Sequence, residues 1–249
     1  MKVSIVTAVF NRAQTIEQAI ESVTRQTYPD IEHILVDGAS SDGTLDAIRR
    51  QMKPGMKIVS EPDEGIYYAL NKGMQMATGE VIGIVHSDDF LAHDQVIERV
   101  ALAFSNPHID AVFGDLDYVK ADDTDYVVRH WEAGVFEPKK LKRGWMPPHP
   151  ALFLRRNVID ILGDYDTFYE IAADYEAVLR WFGKGGIRSA YIPEVLVKMR
   201  VGGASNGSIK RIMRKSWEDF HALRRHGVGR CRTLAMKNLR KVKQFVITN

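Results

Sequence analysis

The chain has 249 residues, 45% of them hydrophobic, which is enough to bury the core of one domain. No run of about 18 apolar residues is present, so the sequence predicts no membrane-spanning helix, and the single cysteine, Cys231, excludes an internal disulfide or a multi-cysteine zinc site. The net charge of +2 conceals an asymmetry, because residues 208–249 hold 12 Lys or Arg against 2 Asp or Glu, whereas residues 1–207 hold 22 against 30. An acidic body with a basic tail indicates that the tail meets something anionic.

Short apolar runs alternate with segments of helical spacing over roughly the first hundred residues. The runs predict strands at residues 3–9, 34–36, 57–59 and 81–85, and the spacing predicts helices near residues 16–23, 45–52, 66–73 and 96–104. Thr15 and Gln18 are placed to form a capping box on the first helix. The alternation implies right-handed crossovers, so the predicted fold class is α/β, with a mostly parallel, Rossmann-like sheet flanked by helices. The first residues therefore predict a strand of the fold and not a signal peptide.

The pattern changes after about residue 110. Strands are predicted at residues 111–113, 126–128, 151–154 and 194–198, with a helix around Tyr175 and Phe182. A glycine-containing loop at residues 202–207 precedes a helical, basic stretch. We therefore divide the chain into a body, residues 1–206, and a basic helical C-terminal segment, residues 207–249.

Acidic side chains follow several of the predicted strands. Asp37 comes after the second strand, Glu64 after the third, and Asp88 and Asp89 after the fourth. Each one alone is explained as well by a turn or a helix cap. Together they lie on the edge where open parallel sheets bind ligands, and clustered carboxylates need a cation such as Mg²⁺ or Mn²⁺. Such a cation suits a diphosphate ligand, and the chain lacks the glycine motifs of P-loop and dinucleotide sites.

These residues resemble glycosyltransferase family 2 with a GT-A fold. The resemblance is carried by residues 3–11, 34–44, 63–67, 71–73 and 87–89, and its strongest part is the Asp-Gly-x-Ser-x-Asp-Gly-Thr element that begins at Asp37. It is dense over roughly the first 90 residues and thinner to about residue 205. The resemblance implies an inverting, non-processive transferase of the type that builds bacterial surface polysaccharides.

The resemblance also implies roles for single residues on the donor side. Thr7, Val9 and Asn11 are expected to line the nucleotide pocket, Asp37 to contact the base, usually uracil, and Asp88 to lie near the ribose. Asp89 is expected to hold the Mn²⁺ or Mg²⁺ ion that bridges the two phosphates. Asn71 and Lys72 are expected at the diphosphate, although an exposed helical lysine is the ordinary alternative.

On the acceptor side, the resemblance makes Asp174 the catalytic base. The family often has Glu-Asp there, and Ala173 replaces the first acid. A helix cap is the competing interpretation of Asp174. The weaker candidates for acceptor binding are Glu64, Trp145 and His149. The alternative is a helix cap for Glu64, a buried loop anchor for Trp145, and a histidine hydrogen-bonded to the backbone for His149.

The expected reaction follows from these roles. Asp174 takes the proton of an acceptor hydroxyl, and a single displacement at the anomeric carbon of a nucleotide diphosphate-sugar inverts that carbon. The expected nucleotide is UDP, and the expected acceptor is a lipid-linked saccharide. Two other classes remain open. One is a sugar-phosphate nucleotidyltransferase, and the other is a non-catalytic nucleotide-sugar-binding or membrane-adaptor protein.

The basic tail allows three interpretations: a solvated helical face, nucleic-acid binding, or attraction to anionic lipid. No nucleic-acid-binding motif accompanies the charge, so we prefer lipid, with Ile209, Ile212, Met213, Phe220 and Leu223 facing the body or the bilayer. The expected location is cytoplasmic, with peripheral attachment to the inner face of the plasma membrane.

Overall fold

The computed structural model describes residues 1–202 and 209–243. Its strands are β1 (Val3–Val9), β2 (Ile31–Asp37), β3 (Met56–Ser60), β4 (Val81–Ile84), β5 (Phe90–Leu91), β6 (Ala111–Val119), β7 (Val127–Trp131), β8 (Leu152–Arg155) and β9 (Ser189–Arg200). Its α-helices are α1 (Ile16–Thr24), α2 (Thr44–Gln51), α3 (Ile66–Met76), α4 (Val96–Ala103), α5 (Pro138–Leu141), α6 (Arg156–Leu162), α7 (Ala173–Val178), α8 (Ile209–Arg225) and α9 (Cys231–Lys243). A 3₁₀ turn at His149–Ala151 precedes β8, and a π-helical stretch, Leu179–Lys184, continues α7.

One sheet contains all of these strands, in the order β3-β2-β1-β4-β8-β6-β9-β5, with β7 paired to β6. The first four pair in parallel because each is followed by a crossover that returns the chain to the same edge. Beyond β4 the pairing is mixed: β8 runs antiparallel to β4 and β6, whereas β9 runs parallel to β6. The predicted α/β sheet flanked by helices is confirmed, and its parallel part is the amino-terminal half.

Two apolar cores cover the two faces of the sheet. One lies under α3 and α7, and the other lies under α1, α2 and α4. All seven residues of β1 are buried because helices cover both faces of this central strand. On α3, Gly73 lets the helix approach β1, since a Cβ atom at this position would collide with Val6. This close contact holds α3 against the sheet, beside the ends of the parallel strands.

The predicted capping box at the start of α1 is wrong. Thr15 makes no cap bond; its hydroxyl donates to the carbonyl of Ser87 at 2.9 Å. The Gln18 side-chain oxygen accepts a hydrogen bond from the Arg200 guanidinium instead. These polar groups therefore join α1 to the loop after β4 and to the end of β9, which a local sequence pattern does not reveal.

The two C-terminal helices pack on the body. Ala222 and Leu223 of α8 are part of the core under α3 and α7, so Leu223 faces the body, whereas Ile212 and Met213 are exposed and Phe220 is half-buried. The structure does not describe residues 203–208, which include most of the predicted loop and the predicted division at residue 206. It also does not describe the side chain of Ile209. In the described part of the chain, no helix is long and apolar enough to cross a membrane.

Candidate active site

A cavity of about 1720 Å³ opens at the carboxyl ends of the parallel strands. Its walls include the loops that follow β1, β3 and β4, together with the start of α7 and parts of α8 and α9. Among the carboxylates that line it, five come from the loops after β3 and β4 and from the start of α7: Asp63, Glu64, Asp88, Asp89 and Asp174. We call these five residues the acidic rim. Their position agrees with the general location of ligand sites in open α/β sheets.

Asp88 and Asp89 follow β4 and differ in their surroundings. Asp89 is 1% exposed; its Oδ1 accepts the backbone N–H of Arg200 at 3.2 Å, and its Oδ2 has no partner. Burial and the neighbouring charge of Asp88 raise the pKa of Asp89 well above its usual range, and Arg200 only partly offsets them. Asp88 is more exposed, and its Oδ2 lies 3.7 Å from Nε of Arg12.

The unpartnered Oδ2 of Asp89 fits a single-carboxylate contact to a hard cation, which would satisfy this buried oxygen. Among residues 1–202 and 209–243, however, no three His, Cys, Asp or Glu side chains lie close enough to hold an ion together. The expectation that Asp37, Asp88 and Asp89 all converge on one cation is therefore not met. Any ion at Asp89 needs further ligands from a bound molecule, and diphosphate oxygens are of the right chemical type.

Asp37 ends β2 behind the cavity lining. It is fully buried and accepts hydrogen bonds from the backbone N–H of Ser40 at 3.1 Å and from the hydroxyls of Ser40 and Ser60 at 2.5 and 2.6 Å. Thr7 is also buried, where its hydroxyl contacts Nε2 of His33 at 2.9 Å. Neither residue is part of the cavity wall in this conformation.

Of the other predicted donor-side residues, Val9 and Asn11 line the cavity, whereas Asn71 and Lys72 do not. Asn11 has a positive φ of 51°, and its Oδ1 accepts the backbone N–H of Ser41 at 2.9 Å, which fixes the turn after β1. The Asn71 amide makes two hydrogen bonds to the backbone of Tyr165, at 2.8 and 3.0 Å. The Lys72 ammonium group forms an ion pair with Glu61.

Asp174 lies in the first turn of α7 and lines the cavity. Its Oδ1 accepts the backbone N–H of Tyr175 at 2.7 Å and lies 3.5 Å from the hydroxyl of Tyr67. Burial opposes ionisation of Asp174, but electrostatic interactions, chiefly with Lys215, together with the hydrogen bond from the Tyr175 N–H, outweigh it and lower its pKa. The carboxylate is therefore ionised at neutral pH, as a proton acceptor must be.

All three weaker acceptor candidates line the cavity. Glu64 follows β3 on the acidic rim. The buried Trp145 donates its indole N–H to the carbonyl of Ala133 at 2.8 Å, as a loop anchor does. Nε2 of His149 hydrogen-bonds the hydroxyl of Tyr165 at 2.5 Å, and burial lowers the pKa of His149 to about 4, so this ring is neutral at pH 7.

The C-terminal helices add a cationic part to the cavity, and sequence reasoning missed this contribution to the site. Six basic residues of α8 and α9 line it: Lys210, Arg211, Arg214, Lys215, Lys237 and Arg240. We call these six residues the basic wall. The charge asymmetry of the tail was the available signal, but a local pattern could not tell that the helices fold back onto the cavity.

Comparison with solved structures gives the class of fold. The mannosyltransferase PcManGT from Pyrobaculum calidifontis, in complex with GDP-Man and Mn²⁺, matches with a TM-score of 0.66 at 21% identity, over 90% of this chain and 63% of that one. S. aureus TarS 1-349, in complex with UDP-GlcNAc, matches with a TM-score of 0.65 at 16% identity, over 92% of this chain and 66% of that one. This chain thus spans about two thirds of either structure. The predicted GT-A fold is confirmed.

Comparison of sequences gives the family. Residues 4–160 match the family profile described as Glycosyl transferase family 2. The chain is 32% identical over 210 residues to the PGL/p-HBAD biosynthesis glycosyltransferase of Mycobacterium bovis (strain BCG / Pasteur 1173P2), which covers 82% of this chain and 78% of that protein. An uncharacterized glycosyltransferase of Nostoc sp. is 28% identical over 221 residues, or 83% of this chain. The chain belongs to glycosyltransferase family 2.

Proposed function

We propose that the protein is an inverting, metal-dependent glycosyltransferase that moves a sugar from a nucleotide diphosphate-sugar to an acceptor hydroxyl. The observation that carries this proposal is one cavity lined by both Asp89, with its unpartnered carboxylate oxygen, and Asp174, with a lowered pKa. The two carboxylates come from distant parts of the chain. An arrangement with a cation contact and an ionised base in one cavity suits the displacement of a diphosphate by a hydroxyl.

In the proposed reaction, the acceptor oxygen forms a bond to the anomeric carbon while the bond from that carbon to the diphosphate oxygen breaks. The proton of the hydroxyl passes to the carboxylate of Asp174, and the electron pair of the broken bond leaves with the nucleoside diphosphate. A single displacement inverts the anomeric carbon. Mn²⁺ or Mg²⁺ held by Asp89, with Asp88 beside it, would neutralise charge on the leaving group.

The metal part of the proposal is tested by nucleotide binding. We expect Asp89→Ala to abolish Mn²⁺-dependent binding of UDP or GDP in isothermal titration, because no other described cluster replaces its oxygen. Asp46→Ala, on the exposed surface of α2, is the control and should bind as wild type does. Unchanged Mn²⁺-dependent heats for Asp89→Ala would refute the role of Asp89.

For the donor we propose UDP as the nucleotide, with Asp37 as the residue that recognises the base after Ser40 and Ser60 release its carboxylate. The solved relatives contain GDP-Man in one case and UDP or UDP-GlcNAc in the other. A thermal-shift panel of nucleoside diphosphates, with and without Mn²⁺, tests this choice. Stabilisation by UDP plus Mn²⁺ above all other diphosphates is expected; a stronger response to GDP would overturn it.

For the acceptor we propose a lipid-linked saccharide of bacterial polysaccharide synthesis, reached from the cytoplasmic face of the membrane. This is supported by exposed apolar side chains on α8, Met213 and Trp217, and on the loop before α7, Phe168, which are 67%, 55% and 55% exposed. The ring centroids of Phe168 and Trp217 lie 6.3 Å apart, and Lys210, in the first turn of α8, is also exposed. Apolar and basic side chains together suit an anionic lipid surface.

The membrane contact is tested with vesicles. We expect Met213→Ser together with Trp217→Ser to reduce co-sedimentation with vesicles of phosphatidylglycerol and phosphatidylcholine several-fold. Leu102→Ser is the matched control, because Leu102 is 66% exposed on α4, away from α8 and α9. Equal sedimentation of the double variant and wild type would reject the lipid interaction.

A further inference from the structure

The basic wall holds more positive charge than its carboxylates neutralise. Arg214 contacts Glu170 at 2.7 Å and Glu218 at 3.0 Å, so its charge is balanced. Lys215 and Lys237, by contrast, share the single carboxylate of Asp219, at 3.8 and 2.7 Å. Burial lowers the pKa of Lys237 to about 7, so these two lysines carry more charge than Asp219 neutralises mainly below neutral pH.

Three further cations of the wall have no carboxylate partner among the described residues: Lys210, Arg211 and Arg240. Burial and the charge of nearby Arg143 both lower the pKa of Arg240, so like charges meet at this point. Cations without a carboxylate partner that line a cavity favour an anion there.

Lys237 places a basic group in the buried part of the cavity. Its side chain is 4% exposed, and its ammonium group lies 3.3 Å from the ring centroid of Tyr175. Tyr175 follows Asp174 directly, and Lys215 and Lys237 both favour the ionised form of Asp174. The basic wall is therefore next to the proposed base.

Helix geometry keeps these cations together. The Asp219–Lys237 ion pair joins α8 to α9, and the basic residues of both helices line the same cavity. Arg211 and Lys215 are one helical turn apart, as are Lys237 and Arg240. A phosphate group has enough acceptor oxygens to contact several such donors at once.

We propose that the basic wall is a subsite for a phosphate-class anionic group carried by the acceptor, with Arg211 and Arg240 as its main ligands. This rests on the proposed function, since it assigns the acceptor of that same cavity. Asp89 and Asp88 of the acidic rim would hold the cation that suits the diphosphate of the donor, and the basic wall binds the anion of the acceptor. The anion is either the headgroup of a lipid phosphate or a free sugar phosphate.

The test measures anion binding to the full chain with the nucleotide site already occupied. Protein saturated with UDP and Mg²⁺ is titrated with hexyl phosphate, glucose 1-phosphate, inorganic phosphate and uncharged hexanol. We expect both phosphate esters to bind and hexanol not to bind. Tighter binding of hexyl phosphate than of glucose 1-phosphate identifies a lipid phosphate as the source, and the reverse order identifies a sugar phosphate.

Variants distinguish phosphate-ester binding by the basic wall from non-specific binding by the other basic residues of the C-terminal segment. Arg240→Gln and Arg211→Gln should each weaken phosphate-ester binding about tenfold, as expected for the loss of a charge-assisted contact. Arg240→Lys should retain part of the affinity. Arg232→Gln is the matched control, because Arg232 is exposed on the same helix α9 but does not line the cavity.

Two results would overturn the subsite. One is phosphate-ester binding that is equal in Arg240→Gln, Arg211→Gln and wild type. The other is a loss of UDP affinity in these variants that matches or exceeds the loss of phosphate-ester affinity, because the wall would then serve the donor. Failure of the proposed function would give a different result, because the wild-type protein would then bind no nucleotide with Mg²⁺ or Mn²⁺. Titration with phosphate esters in the absence of nucleotide would still measure binding to the basic wall.

Discussion

The acidic rim lies mainly on loops that directly follow parallel strands, whereas the basic wall lies on two helices that reach the cavity from the far end of the chain. The rim is placed by main-chain hydrogen bonds between neighbouring strands, which bring the ends of β1 and β4 to one edge. The wall is placed by side chains, chiefly buried ion pairs such as Asp219–Lys237. The position of the acidic rim thus depends mainly on the sheet topology, and the position of the basic wall depends on how the C-terminal helices dock.

This difference teaches that the two sides respond to different perturbations. A change at an ion-paired residue of the wall, such as Lys237, alters how the C-terminal helices dock and therefore affects the stability of the fold. A change on the rim leaves the sheet in place and affects the chemistry. Asp174 is a rim residue that also depends on the wall, because it lies on α7, which contributes to the core under the sheet and contacts α8.

The largest expected effect is on Asp174. Asp174→Asn should reduce sugar transfer by about 10²–10⁴-fold, since the amide cannot accept the proton, while nucleotide affinity changes little. Single-turnover assays with the donor that the thermal-shift panel selects would measure this. Asp160→Asn, on the exposed face of α6, should retain full activity. Near-normal turnover of Asp174→Asn would remove this residue as the base.

Glu218 should have the next largest effect, on stability. Its buried carboxylate accepts the backbone N–H groups of Ile171 and Ala172, both at 2.9 Å, and pairs with Arg214. Glu218→Gln leaves these buried donors under-satisfied, so it should lower the free energy of unfolding by about 2–4 kcal/mol in urea titrations.

Glu170→Gln is the matched control for this prediction. Glu170 contacts the same Arg214, but its side chain is 62% exposed whereas that of Glu218 is 1% exposed. An exposed ion pair contributes roughly 0–1 kcal/mol, so the control should change stability little. Equal, small effects of the two variants would contradict the view that buried carboxylates dock α8 on the body.

A pH-dependent effect is expected at Glu176 on α7. Burial raises its pKa, but hydrogen bonds from His226 and Arg180 lower it to about 2. Because the folded-state pKa lies below the unfolded value, Glu176 stabilises the fold fully above about pH 4.5 and loses this contribution as the pH falls towards 2. The full contribution is of order 3 kcal/mol.

Urea titrations at several pH values would measure this contribution. The stability difference between wild type and Glu176→Gln should shrink steadily from about pH 5 to pH 2. His226→Gln should show part of the same change, because it removes one of the two partners. A difference that stays constant across this pH range would show that folding does not lower the pKa of Glu176.

The smallest effect is expected at Lys72. Its ammonium group pairs with Glu61 on the surface and is outside the cavity lining. Lys72→Gln should therefore change UDP affinity less than about twofold and stability by roughly 0–1 kcal/mol. A large loss of nucleotide affinity, measured by titration with Mn²⁺, would instead support the diphosphate contact that the family resemblance implies.

Much of the amino-terminal half could be predicted from the sequence. β1 occupies the predicted residues, and β2, β3 and β4 contain or nearly match the predicted runs. The physical reason is that buried parallel strands are continuous apolar runs and their crossover helices repeat every three or four residues, so local patterns suffice. The position of Asp88 and Asp89 on the cavity follows from the same rule.

Other elements escaped prediction because distant contacts decide them. The two-residue strand β5 exists only because it pairs with β9 at Lys198 and Val197, and α6 has just one buried residue, Val158. Asp37 was placed on the correct strand, yet Ser40 and Ser60 engage its carboxylate, and Ser60 is 23 residues away on β3. Strand-end position alone does not tell which way a side chain turns.

The sequence by itself determined the α/β class, the family and the strand ends on which the carboxylates lie, because these depend on hydrophobic period and short motifs. Only the tertiary structure decided that the basic tail folds back as a wall of the same cavity. The reason is that its docking depends on buried pairs between residues far apart in the chain, such as Glu176 with His226. No local pattern records such a pair.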